Sequence, residues 1–118
     1  MPATTCDIEE SNHLVVVHIA TSKLEASAMQ EVVDDLMERM RYTGAIHFIL
    51  DVKPVEFISS ACLGVMVQFL QDLEHVRGRM ALARCQENVA FLFKVTRLDK
   101  VFHLYDDVED AKLGIARG

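Results

Sequence analysis

The order of apolar and polar positions divides the chain into alternating short and long segments. Residues 13–20, HLVVVHIA, form a nearly unbroken apolar run, the pattern of a strand covered on both faces. Residues 4–10 make a weaker strand candidate, and Ser11-Asn12 reads as a tight connection, so a hairpin is predicted with its second strand central. From Leu24 the period changes. Leu24, Ala28, Val32, Leu36 and Met40 recur at a helical spacing, with Glu31, Asp34, Asp35 and Glu38 on other faces. Ser22 with Glu25 three residues on has the spacing of a capping box, and the helix it opens is predicted to end near Arg41, before Gly44. Residues 46–51 return to a strand pattern, which completes a β-α-β crossover unit.

The stretch that organises the rest is residues 52–73, VKPVEFISSACLGVMVQFLQDL. Pro54 marks a turn, residues 55–58 are β-prone, and two hydroxyls then stand directly before an apolar-periodic segment. Leu63, Met66, Val67, Leu70 and Leu73 fall on one helical stripe, while Gln68, Gln71, Asp72 and His75 lie off it. Ser59 suits the N-cap and Ser60 the first turn, where a side-chain oxygen meets backbone N–H groups that have no partner. Both hydroxyls therefore sit at the positive end of a helix dipole.

Beyond this helix, which should end near Gly78, residues 79–84 give a short strand and Asn88 can cap an apolar helix over 89–95. Residues 100–105 look like a last strand. Asp106 and Glu109 have capping-box spacing for a terminal helix holding Val108, Ala111, Leu113 and Ile115. The alternation indicates a single α/β domain over residues 1–118, with a mostly parallel mixed sheet of four to five strands and about four helices.

Composition narrows the function. A chain of 118 residues, 51% apolar and 25% charged, can bury one ordinary core. Its formal net charge of −6 argues against phosphate-backbone binding, which needs clustered Lys and Arg. No apolar run reaches the roughly 18–20 residues that span a bilayer. The N-terminus, MPATTCDIEES, lacks a basic and an apolar signal region, so the chain is expected in the cytoplasm. Cys6, Cys62 and Cys85 fit neither a disulfide framework nor a CxxC pair, and the five histidines have no metal-ligand spacing. No cofactor or metal is expected.

For chemistry, the spacing of Ser59 and Ser60 alone is satisfied by two hydroxyls that only cap a helix. Cys62, in the first turn, occupies a place where a thiol can become a nucleophile, yet no His or Lys is near it in sequence and Cys is commonly a small buried residue. Gly-x-Ser-x-Gly is missing, which disfavours hydrolase chemistry. Asp51 reads as a turn former that could, with Glu56, hold a cation. Asp106, Asp107, Glu109 and Asp110 complement a helix dipole. Phe91, Phe93 and Phe102 read as core or near-core packing, and Met29, Met37, Met40 and Met66 as helix-face residues.

The run Phe57-Ile58-Ser59-Ser60-Ala61-Cys62-Leu63-Gly64-Val65 resembles the (D/S)-S-(S/A)-G-L motif of STAS domains, as found in bacterial anti-sigma factor antagonists. The resemblance extends from about residue 13 to residue 115. It implies that Ser59 matches the first motif position and Ser60 the serine phosphorylated by a partner kinase, with Ser59 the alternative acceptor. Cys62 departs from the usual Gly, and the Gly often seen after the second strand is absent from residues 20–24. The implied function is a phosphorylation-switched, non-enzymatic module that sequesters an anti-sigma factor with serine kinase activity and is reset by a protein phosphatase. The implied contact surface comprises Lys53, Pro54, Glu56, Ser59, Ser60, Ala61, Cys62 and Gly64. A constitutive STAS subunit of a larger scaffold or transporter complex is the rival reading, an enzyme using the Cys62 thiolate is a third, and self-association is left open.

Overall fold

The computed structural model describes residues 6–11 and 14–117. The portions of the first strand candidate and its connection at residues 4–5 and 12–13 lie outside them. The apolar runs become strands β1 (Cys6–Ser11), β2 (Leu14–Ile19), β4 (His47–Asp51), β6 (Arg79–Ala83) and β7 (His103–Tyr105). They hydrogen-bond in the order β1-β2-β4-β6-β7. β1 runs antiparallel to β2 and every other pair is parallel. The expected hairpin forms, and β2 is an interior strand beside the central β4. Two further strands, β3 (Lys23–Leu24) and β5 (Phe57–Ile58), form a separate parallel ribbon.

Four helices cover the sheet: α1 (Ala26–Thr43), α2 (Ser60–His75), α3 (Glu87–Val95) and α4 (Val108–Arg117). Strand alternation explains the layering. Val15, Val17, Phe48, Leu50, Met80 and Leu82 point to one face and share a core with Val32 and Leu36 of α1, Met66 and Phe69 of α2, and Val89 and Phe93 of α3. Phe48 meets Phe69 at a ring-centroid distance of 5.6 Å, and Phe93 meets Phe102 edge-on at 5.7 Å. The other face carries Val16, Ile49, Ala81 and Ala83 against Ala111 of α4. The small alanines let this helix lie close to the sheet.

Several helix starts differ from their sequence pattern. The capping box at Ser22 does not form: α1 begins at Ala26 with Glu25 as an N-cap that makes no side-chain bond. Ser22 is engaged elsewhere, its carbonyl accepting from Glu56 and Phe57 N–H. Asn88 does not cap α3, which starts at Glu87 with Gln86 at the N-cap and no capping side chain. The cap of α4 is Asp107 in place of Asp106, accepting the Asp110 N–H at 2.7 Å. Residues 98–100 are a 3₁₀ turn, so the last strand is shorter than its apolar run. Phe91, read as core or near-core packing, is 64% exposed because Val89 and Phe93 are the residues of α3 that face inward.

α1 stops at Gly44, whose φ of 77° places it in the left-handed region and lets its N–H close on the Met40 carbonyl. A Cβ at Gly78 would lie 2.4 Å from the Ile46 carbonyl oxygen, a backbone atom that cannot swing away. Gly78→Ala is therefore expected to cost about 1–3 kcal/mol, read as a lower urea midpoint with unchanged slope.

Candidate functional site

β5 hands the chain to α2 at Ser59. Ser59 has extended backbone angles (φ −73°, ψ 156°) and its hydroxyl accepts the Cys62 N–H at 3.0 Å, the N-cap role its position dictates. Its own N–H donates to the Leu24 carbonyl at 3.2 Å, which ties the cap to β3. Ser60, the first helical residue, is exposed, and among the described residues no hydrogen bond engages its hydroxyl. The two hydroxyls are thus unequal: one is spent on the helix and the other is presented to solvent.

The loop leading to Ser59 is strapped from two sides. Val52 and Val55 are buried, while Lys53, Pro54, Glu56 and Phe57 are exposed. On one side Glu56 and Phe57 N–H donate to the Ser22 carbonyl at 2.7 and 3.1 Å. On the other, Val52 N–H donates to the Ala83 carbonyl at 3.0 Å, the Gln86 side-chain amide donates to the Lys53 carbonyl at 2.7 Å, and the Asn88 side-chain amide donates to the Glu56 carbonyl. Ala61 and Gly64 are exposed near the start of α2, with Ser60. Cys62, expected among the contact residues, is fully buried, so its thiol contributes to the core and offers no surface to a partner.

Burial also removes its reactivity. The Cys62 thiol is pushed up to about 12 and that of Cys85 to about 11, both by desolvation, so the helix N-terminus does not make a thiolate here. Alkylation of native protein at neutral pH is expected to be far slower at Cys62 than for a free exposed thiol, and to accelerate only on unfolding. Peptide mapping after timed alkylation reads this directly, and rapid native labelling of Cys62 would restore the enzyme reading.

Asp51 forms no cation site with Glu56. It is the one charged residue in the buried class among the described residues, at 2% exposure. Arg84 grips it twice, Nε to Oδ1 at 2.9 Å and Nη2 to Oδ2 at 2.5 Å, and His18 Nδ1 lies 2.7 Å from Oδ2. Lys53 N–H donates to Oδ1 at 3.3 Å. Burial pushes this carboxyl up, but the bonds from Arg84, His18 and Lys53 outweigh it and hold the group below the usual carboxylate range. Arg84 itself adopts a left-handed φ of 61°, costly for a non-glycine residue at about 1–2 kcal/mol. No group of three potential metal ligands exists among the described residues.

A STAS domain family model matches residues 5–111 of the chain. This chain belongs to the STAS domain family. A Thermotoga neapolitana protein described as an anti-sigma factor antagonist TM1081 homolog is 35% identical to this STAS domain over 63 residues, 53% of this chain and 56% of the relative. The match thus spans little more than half of that relative. The crystal structure of an anti-sigma factor antagonist from Thermotoga maritima superposes with a TM-score of 0.82 at 22% identity, covering 94% of each chain. The phosphorylated form of the Bacillus cell fate determinant SpoIIAA superposes at 0.70 with 18% identity, over 90% of this chain and 95% of SpoIIAA. The murine anion transporter Slc26a9 shares the fold as well, at 0.75 and 14% identity, over 93% of this chain but only 19% of the transporter. At these identities the three structures share the fold with this STAS domain. Among its described residues no helix is long and apolar enough to cross a membrane.

Proposed function

We propose that this STAS domain is an anti-sigma factor antagonist, a binding module without catalytic activity that captures an anti-sigma factor with serine kinase activity and releases it when Ser60 is phosphorylated. The observation that carries the reading is the inequality of the two serines: Ser59 spends its hydroxyl on Cys62 N–H, and Ser60 is exposed at the first turn of α2 with its hydroxyl unengaged. The loop from Lys53 to Phe57 and the start of α2, with Ala61 and Gly64, form the contact surface. A protein phosphatase resets the module. The relatives described as anti-sigma factor antagonists support the same reading.

Incubating the protein with ATP and native extract of its organism, followed by intact-mass analysis and peptide mapping, tests it. One phosphate on Ser60 is expected. Phosphate on Ser59 with none on Ser60 would move the acceptor by one residue, and its absence from both would overturn the switch. The anion transporter that carries this fold within a fifth of its length favours a second reading, a permanent subunit or module of a larger complex. Size-exclusion of native lysate separates the two, because a permanent subunit elutes only with its complex.

A further inference from the structure

Two side chains at the start of α3 depart from what that helix itself requires. Its N-cap, Gln86, makes no capping bond, and Asn88, one of the best capping residue types, sits inside the first turn without capping it. Both amides instead cross to the loop that precedes Ser59, Gln86 to the Lys53 carbonyl at 2.7 Å and Asn88 to the Glu56 carbonyl. The residues joined are 32 and 33 apart in sequence, so neither bond helps a local element form. A helix left uncapped so that two amides hold an exposed loop breaks a local rule, and such breaks concentrate where function sets the shape.

We infer that Gln86 and Asn88 are positioning residues for the Ser60 site, holding the carbonyls of Lys53 and Glu56 so that the exposed loop meets the partner in one preset shape. This inference rests on the proposed role of Ser60. Between the two bonds lie Pro54 and the buried Val55, whose N–H closes a turn onto the Val52 carbonyl at 3.0 Å. The loop is therefore fixed at one carbonyl within that turn and at one directly after it, and Ser59 and Ser60 follow within four residues of the second. A partner that docks on a preset loop avoids the ordering cost that a mobile loop would impose.

Gln86→Glu and Asn88→Asp keep side-chain shape and remove the N–H donors, and a carboxylate at the start of α3 is favourable to the helix dipole, which spares the fold. Gln86→Ala and Asn88→Ala control for the added charge. Each lost bond is expected to speed hydrogen exchange at the Glu56, Phe57 and Ser59 amides about 3- to 10-fold, with the urea midpoint nearly unchanged. Phosphorylation of Ser60 in native extract with ATP, followed against protein concentration, should show apparent KM raised about 3- to 10-fold and the maximal rate within about twofold. Both acid and alanine variants must shift alike. Unchanged exchange overturns the inference, and so does faster exchange with an unchanged KM. A wild-type protein that takes no phosphate at Ser60 overturns the proposed function and the partner half of this inference, while the exchange rates still decide whether the amides hold the loop.

Discussion

The protein phosphorylated at Ser60 is expected to bind the proposed anti-sigma partner about 10³-fold more weakly than the unmodified protein while unfolding at the same urea concentration. The two effects of one phosphate have opposite signs. At the N-terminus of α2 a charge of about −1.5 to −2 is mildly stabilising, on the order of 0.3–1 kcal/mol. Inside a docked interface without a cationic partner the same group meets desolvation and repulsion of roughly 4 kcal/mol, which is the thousandfold. Ser60→Asp should act in the same direction with a smaller loss, since it carries one charge and a shorter reach. Ser60→Ala should bind as the wild type and remain bound in the presence of ATP. Calorimetric titration with the purified partner and urea unfolding of each variant check this. Wild-type affinity in the phosphorylated protein, or loss of binding through unfolding, would sink it.

Removing Asp51 is expected to cost about 2–4 kcal/mol of stability, because Arg84 and His18 would be left facing an unfilled buried site. The partial exposure of Arg84, 38% of its side chain, keeps the figure below that of a fully enclosed pair. Asp51→Asn keeps the volume and removes the charge, so it isolates the electrostatic part. The pH dependence follows from the depressed carboxyl. Its contribution is fully present above the unfolded-state value, about 3.9, and is lost as pH falls from there through the lower folded-state value. Urea midpoints measured between pH 7 and pH 2 should decline through that acid window in the wild type and decline less in Asp51→Asn. Identical acid profiles would show that Asp51 is not the group responsible.

What could be read from the sequence is what local chemistry specifies. The stripe from Leu63 to Leu73 named the inward face of α2, and an extended residue followed by a helical period identified Ser59 as its cap. HLVVVHIA announced a strand buried on both faces, and Val15, Val16 and Val17 are all buried. The missed features depend on residues brought together from afar. Nothing beside Asp51 in sequence indicates Arg84 or His18, each 33 residues away, so an end-of-strand acid looked like a turn former. The ribbon of β3 and β5 has two residues per strand, too short for a period-two pattern, and its formation took Ser22 away from the capping box its spacing suggested. Asn88 was legible as a capping residue type, and tertiary bonding overrode that preference. Cys62 stood where a helix dipole favours a thiolate, and burial reversed the sign.

The strand β1 carries Asp7, Glu9 and Glu10 on exposed positions and, among the described residues, is the edge of the sheet beside β2. A second molecule laying its own β1 alongside would bring two rows of carboxylates together in an antiparallel register. Such an edge resists lateral growth of the sheet, the route by which exposed strands seed fibrils and unplanned pairing.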